Sequence, residues 1–152
     1  MKKNITLKSI IAIAFLFIAS SAVSQTAKKV DKKKFLENRK FKVQFYEIKA
    51  AGRGKAVESM VELSSGSIES TLMKEKLQAE EAKFSVILDS TYTEDDTEMR
   101  LVKLEAFIEG PKEEIKWEAT IINYDIEGTV VQKKGDVEKK KFEFSGTEKT
   151  KK

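Results

Sequence analysis

Apolar and polar residues alternate along most of the chain between residues 40 and 146, which is the pattern of half-buried β-strands. In the first such segment, KFKVQF at residues 40–45, every second residue is apolar. Because successive side chains of a strand point to opposite faces, each apolar set predicts one face packed against a core. The predicted strands are, in chain order, 40–49, 56–64, 67–72, 83–92, 98–109, 114–122, 126–132 and 137–146.

The stretch WEATIINYDIEGTVV, residues 117–131, alternates in the same way but changes phase midway. As a single strand, the whole segment from 115 to 132 would be about 60 Å long at ~3.3 Å per residue, too long for a small domain. Either a tight turn at Asn123-Tyr124-Asp125 or a β-bulge at Ile121–Ile122 would change the phase. The turn is the preferred interpretation, because Asn and Asp tolerate left-handed backbone.

Glycines and one helical pattern divide the strands. Gly66 and Gly135 stand where hairpin turns are expected, whereas Gly128 and Gly146 fall inside strands and indicate a bend or close packing. Residues 71–82 (TLMKEKLQAEEA) are rich in helix formers and predict a short helical segment. Eight sequential antiparallel strands with short links predict an all-β fold, a single antiparallel up-and-down barrel without exposed edges.

The N-terminus has the pattern of a signal peptide. Lysines precede an apolar core at residues 10–19, and Ala22 and Ser24 occupy the small-residue positions before a cleavage site. The core is shorter than the roughly 20 apolar residues that a membrane span needs, so an uncleaved anchor is the weaker alternative. We expect a periplasmic or secreted protein with no transmembrane segment after cleavage. The expected organisation is a signal peptide at 1–24, a flexible lysine-rich leader at 25–34, a β-barrel domain at 35–146 and a tail at 147–152.

Cleavage changes the charge balance. Residues 1–24 contain three lysines and no acid, so their removal leaves 26 basic and 25 acidic side chains. This near balance argues against nucleic-acid binding, which needs a strongly basic surface. The charges are segregated: residues 43–132 carry ten basic and nineteen acidic side chains, and both ends are basic. The basic ends are either solvated tails or contacts to an anionic envelope surface.

Catalytic and metal-binding chemistry is poorly represented in the composition. The chain has no histidine and no cysteine, which excludes thiolate nucleophiles, disulfides and nearly all zinc or copper sites. It also lacks the phosphate-binding, dinucleotide-binding and nucleophile-elbow motifs. We therefore expect a protein that is not an enzyme and that needs no cofactor.

The densest group of oxygen ligands is TEDDTE, residues 93–98. Its carboxylates belong to Glu94, Asp95, Asp96 and Glu98. Calcium prefers several such oxygens, but the spacing lacks the mid-loop glycine and distal glutamate of an EF-hand. The preferred interpretation is an exposed acidic hairpin turn, with a weak calcium site as the alternative.

Four large aromatic residues are candidates to contact a small ligand. They are Trp117, Tyr46, Tyr92 and Tyr124. Aromatic side chains of this kind more often pack in a core, with their polar ends bonded, than line a ligand cavity. Both uses are open at this point, because an eight-stranded barrel either fills with side chains or holds one small ligand. Trp117 shares its strand face with Ala119 and Ile121, so we expect it to be buried.

The order of these features resembles small exported lipocalin-like (calycin-type) barrels. The resemblance rests on a first strand KFKVQFYEI, then VELSSGSIES, a short helical detour, and a strand bearing Trp117 that leads to YDIEGTVV. It implies a non-catalytic barrel that binds a small apolar or amphiphilic ligand. The family's Gly-x-Trp motif is missing from the first strand, so no binding residue carries over. The alternative is a structural or interaction protein of the bacterial cell envelope with a filled barrel.

The signal-peptide pattern predicts cleavage after Ser24. Mass spectrometry of the protein purified from its native host should find an N-terminus at or near Gln25, because the small residues before it suit the signal peptidase. An intact Met1 in the mature protein would contradict this prediction.

Overall fold

The computed structural model describes residues 32–110 and 112–149, and within them the fold is almost entirely β. The predicted signal peptide and residues 25–31 of the predicted leader lie outside the described residues. The elements are α1 Lys32–Leu36, β1 Arg39–Lys49, β2 Gly52–Arg53, β3 Val57–Ser64, β4 Ser67–Ser70, α2 Thr71–Leu77, β5 Ala82–Glu94, β6 Thr97–Glu109, β7 Glu114–Ile122, β8 Asp125–Lys134 and β9 Val137–Glu148. No helix in this part of the chain is long and apolar enough to cross a bilayer.

The strands form one antiparallel up-and-down sheet that closes in a ring, as the sequence predicts. Each strand pairs with the next along the chain, and β1 pairs on its second side with β9. Eight strands make the ring, because the two-residue strand β2 pairs only with the end of β1. β1 and β9 are in register over eight residues, from Phe41 opposite Glu148 to Ile48 opposite Lys141, so the closure is continuous.

The phase change within residues 117–131 is a hairpin turn. β7 ends at Ile122 and β8 begins at Asp125, and these two residues are paired across a two-residue turn. Asn123 has a left-handed φ of 51°. This is the backbone conformation expected for a turn here, because Asn tolerates it. The preference for a turn over a bulge is therefore confirmed.

Both ends of the domain extend further than the sequence indicated. Helix α1 begins at Lys32, inside the predicted leader, because Phe35 and Leu36 pack against the barrel and fix this turn of chain. Strand β9 continues to Glu148, inside the predicted tail, and the N–H of Lys149 donates to the carbonyl oxygen of Lys40 at 2.7 Å. Polar composition alone did not reveal these contacts.

The inward positions of the strands form one hydrophobic core. Phe41, Val43 and Phe45 of β1 are each at most 1% exposed, as their alternation predicts. Helix α2 adds Met73 to the same core and is held to β3, where the Ser59 hydroxyl accepts from the Leu72 N–H at 3.3 Å. Helix α1 adds Leu36 at another point of the core.

Two glycines on inward-facing strand positions allow neighbouring backbones to come close. A Cβ on Gly128 would lie 2.1 Å from the carbonyl oxygen of Glu118 and 2.7 Å from the ring of Phe144. A Cβ on Gly146 would lie 2.0 Å from the carbonyl oxygen of Lys42. Both positions therefore require glycine for close packing, which confirms the prediction made from their place inside strands.

The ring is weakest between β4 and β5, and this corrects the expectation that the barrel leaves no exposed edge. Only two residue pairs join these strands, Ser67 with Lys83 and Ile68 with Ala82. The physical reason is where β4 begins: Ser67 directly follows the β3–β4 turn at Ser65 and Gly66, so β4 has no residues to place opposite β5 beyond Phe84. β5 continues far beyond this short partner.

Replacing Trp117 by Ala should lower the free energy of unfolding by about 3–5 kcal/mol, because the removed indole leaves a cavity in a packed core. The Trp117 side chain is 0% exposed, which confirms its expected burial. Chemical denaturation of the wild type and of Trp117→Ala measures the difference. Tryptophan emission at the wavelength of the free amino acid in water would show that the indole is exposed and would contradict the placement.

Candidate functional site

Large side chains fill the interior of the barrel. The ring of Phe144 lies 5.1 Å from that of Phe45 and 5.9 Å from that of Trp117, centroid to centroid, and the second pair is edge-to-face. These arrangements are favourable for aromatic pairs. The largest fully buried side chains are Trp117, Phe41, Phe45, Leu63, Ile68, Met73, Leu104, Ile121, Ile126, Val43, Val61 and Val102. The Nε1 atom of Trp117 has no hydrogen-bond partner among the described residues.

The four candidate aromatic residues do not line a common cavity. Trp117 lies inside the barrel, whereas Tyr124 occupies the β7–β8 turn and is 69% exposed. Tyr46 lies on the outer face, where its hydroxyl donates to Gln44 Oε1 at 2.9 Å and the guanidinium of Arg53 sits 3.6 Å from its ring centroid. Tyr92 is also on the outer face, on β5. These positions give the aromatic residues separate surroundings.

The four candidate calcium ligands lie at the β5–β6 hairpin, and all are exposed. Asp95 and Asp96 form its two-residue turn, with φ values of 48° and 61°. This is the turn that fits the twist of a hairpin and that Asp tolerates. Glu94 pairs with Thr97 and Glu98 with the preceding position on β5, so the two glutamates point to opposite faces. Within residues 32–110 and 112–149, no group of three acidic side chains is placed to hold a metal ion.

Two adjoining grooves lie on the outer face of β6–β9. The larger has a volume of about 590 Å³ and the smaller about 440 Å³. They share Thr120, Glu127 and Ser145 in their walls. Gly128 lies at the larger groove and Gly146 at the smaller one. Each groove of the outer surface therefore has one of the two inward-facing glycines in its wall.

Carboxylates and a few apolar side chains line the two grooves, which we together call the outer groove. Its acidic side chains are Glu94, Glu105, Glu118, Asp125, Glu127 and Glu143, and its basic ones are Arg53 and Lys103. Ile87, Tyr92, Met99 and Ile122 supply apolar surface. An excess of negative charge beside apolar surface favours ligands that carry positive charge.

Some of these carboxylates are paired and some are not. The ammonium of Lys116 lies 2.5 Å from Glu105 and 2.8 Å from Glu118. The hydrogen bond to Glu105 raises the pKa of Lys116, and the bond to Glu118 adds to this effect. The same contact with Lys116 lowers the pKa of Glu118. Among the described residues, Asp125 and Glu127 form no ion pair.

Sequence reasoning did not find the outer groove. The signal was present, because Glu105, Glu118 and Glu127 each occupy an outward position on a predicted strand. What was missing is the register that puts them side by side: Glu105 lies opposite Glu118, and Glu127 opposite Thr120. Register follows from turn geometry and long-range pairing, which single-strand patterns do not contain.

Comparison of the chain with protein-family models, with curated proteins and with solved structures finds no match. The resemblance to lipocalin-like barrels therefore remains a resemblance of pattern and order.

Replacing Asp95 and Asp96 by Asn should change the free energy of unfolding by less than about 0.5 kcal/mol, because solvated turn carboxylates contribute little to stability. Asn tolerates the same left-handed backbone, so the turn itself is preserved. Calcium should not change the melting temperature of either protein. A calcium-dependent rise in the wild type that disappears in the double variant would instead establish a binding site.

Proposed function

We propose that the protein is an exported, non-catalytic interaction protein of the bacterial cell envelope, with a filled barrel and its working surface on the outside. The observation that carries this proposal is the packed interior. Trp117, Phe45 and Phe144 occupy the centre of the ring, where a hollow barrel would hold its ligand. Export is supported by the signal-peptide pattern of the sequence.

The outer groove is the surface that we assign to the partner. It combines a volume in the range of binding sites, unpaired carboxylates at Asp125 and Glu127, and apolar side chains that include Ile87. A partner that presents positive charge next to apolar groups matches this combination. The groove is built on paired strands and not on loops, so its shape is fixed before the partner arrives.

A small amphiphilic ligand is the second candidate for the same groove. The favouring observation is the apolar part of its wall, where Tyr92, Met99 and Ile122 line a space of about 440 Å³. The nearby carboxylates Glu94 and Asp125 would select a cationic head group over an anionic one.

The predicted contact with an anionic envelope surface has its best support at the β8–β9 hairpin. Residues 133–140 are all exposed, and their four lysines, Lys133, Lys134, Lys139 and Lys140, outnumber the two carboxylates, Asp136 and Glu138. Lysines near an anionic bilayer contribute about 1 kcal/mol each. This hairpin is separate from the outer groove, so one molecule has surfaces for partners of both charges.

A photoreactive phenylalanine analogue at Thr129, in the groove, should cross-link to a discrete partner in the native host. The same analogue at Glu62, a partly exposed outward position on β3 on the opposite side of the ring, is the control and should give no adduct. Glu127→Lys should reduce the adduct from Thr129 by about tenfold, since a like charge placed against a cationic partner costs more than ~1 kcal/mol. Mass spectrometry of the adducts provides the measurement.

Titration with a fluorescent fatty-acid probe distinguishes this function from ligand storage inside the barrel. We expect no saturable binding, because the interior is packed and the groove is acidic. The proposal would be contradicted if the probe bound saturably with energy transfer from Trp117, if Glu127→Lys left that binding unchanged, and if the analogue at Thr129 gave no adduct. A cationic amphiphile that binds and is weakened by Glu127→Lys would support the second candidate.

A further inference from the structure

The second edge of β5 has no strand partner over most of its length among the described residues. β4 reaches it only at Ala82 and Lys83, and one further backbone bond joins the N–H of Phe84 to the carbonyl oxygen of Gly66 at 2.9 Å. Beyond that point the strand continues to Glu94, paired with β6 alone. An open strand edge of this length is a template for pairing with another chain.

The hairpin turn determines which backbone groups of β5 face the open edge. In a two-residue hairpin, the residues that flank the turn, here Glu94 and Thr97, form a hydrogen-bonded pair. Such pairs alternate with non-hydrogen-bonded pairs, so Thr91 and Thr93 turn their N–H and C=O groups away from β6. Both threonines are exposed. The open edge therefore presents unused donors and acceptors to solvent.

Exposed apolar side chains are concentrated on the same strand. The irregularity in register between Val86 and Leu88 leaves Ile87 61% exposed and Leu88 42% exposed, and Tyr92 is 39% exposed. Residues 84–94 contain neither lysine nor proline, the residues that commonly protect a strand edge. This strand thus combines an open backbone with apolar surface that a neighbouring strand would cover.

We propose that β5 pairs with β5 of a second copy, antiparallel and centred on Thr91, to form a two-fold symmetric dimer. Identical edges paired in this way are self-complementary, which makes the assembly closed. With Thr91 opposite its own counterpart, Ser90 lies opposite Tyr92 of the second copy. The Tyr92 side chain of one copy then has Leu88 and Tyr92 of the second copy as its diagonal neighbours. An aromatic side chain is long enough to contact residues at that distance.

Charge does not oppose this arrangement. Asp89 accepts hydrogen bonds from Arg100 at 3.0 and 2.9 Å, so its charge is already compensated, and in the dimer it lies opposite Thr93. Asp95 is four residues from the centre, which separates the two acidic turns by about 26 Å at ~3.3 Å per residue. That exceeds the Debye length of about 8 Å at physiological ionic strength. The backbone pairing lies at the β5 edge and adjoins the outer groove, because Tyr92 also belongs to the wall of that groove. It assigns a second copy to the edge, which goes beyond the proposed function.

The absence of cysteine from the chain allows a direct test by cross-linking. Opposed residues of a hydrogen-bonded pair have Cα atoms about 5.5 Å apart, which suits a disulfide. Oxidation of Thr91→Cys should therefore give a covalent dimer. Thr147→Cys is the matched control, because Thr147 is an exposed threonine on β9, a strand paired on both sides. The dimer should form on the order of tenfold faster at Thr91, where pairing holds the thiols together.

Sedimentation equilibrium gives an independent measurement on the chain without cysteine. The wild type should dimerise with increasing concentration, Thr91→Lys should remain monomeric with an unchanged circular dichroism spectrum, and Thr147→Lys should dimerise as the wild type does. A monomeric wild type with equally slow cross-linking at both cysteine positions would overturn the proposal. A dimer that persists in Thr91→Lys would also overturn it, because the contact would then lie elsewhere.

Discussion

Close approach of backbones at Gly128 and Gly146 is the constraint on which the rest of this molecule depends. The ring of Phe144 reaches into the space that a Cβ on Gly128 would occupy, and there it contacts Trp117. A side chain at residue 128 would displace the Phe144 ring from this position in the core. Gly128 also lies in the wall of the larger groove, so one residue borders both the packed core and the outer groove.

The fold was largely predictable because its signals are local. Alternation located the strands, and Asn123 marked the β7–β8 turn because its side chain suits left-handed backbone. The helical composition after residue 70 located α2, which ends at Leu77, earlier than the predicted segment. The two-residue strand β2 is too short to produce a periodic signal.

The candidate site could not be predicted to the same degree, since it depends on which strands stand side by side. Glu118 and Glu127 are nine residues apart, and only the β7–β8 register brings them to one surface. The open edge of β5 has the same origin. A count of eight strands predicts the closed ring that the structure has, but it does not reveal how far each pair of strands extends, and β4 begins only at Ser67, after the β3–β4 turn.

The pairing of the first ring strand with the last has a kinetic consequence. Phe41 lies opposite Glu148, so this seam has the largest sequence separation in the sheet. Such non-local contacts make all-β folds slow, typically milliseconds to seconds, because the chain loses entropy before the contact forms. The ion pair between Arg39 and Glu148 forms only when β9 arrives. Until then β1 and β8 each have a bare edge, so the nascent chain is most prone to aggregation just before its final strand docks.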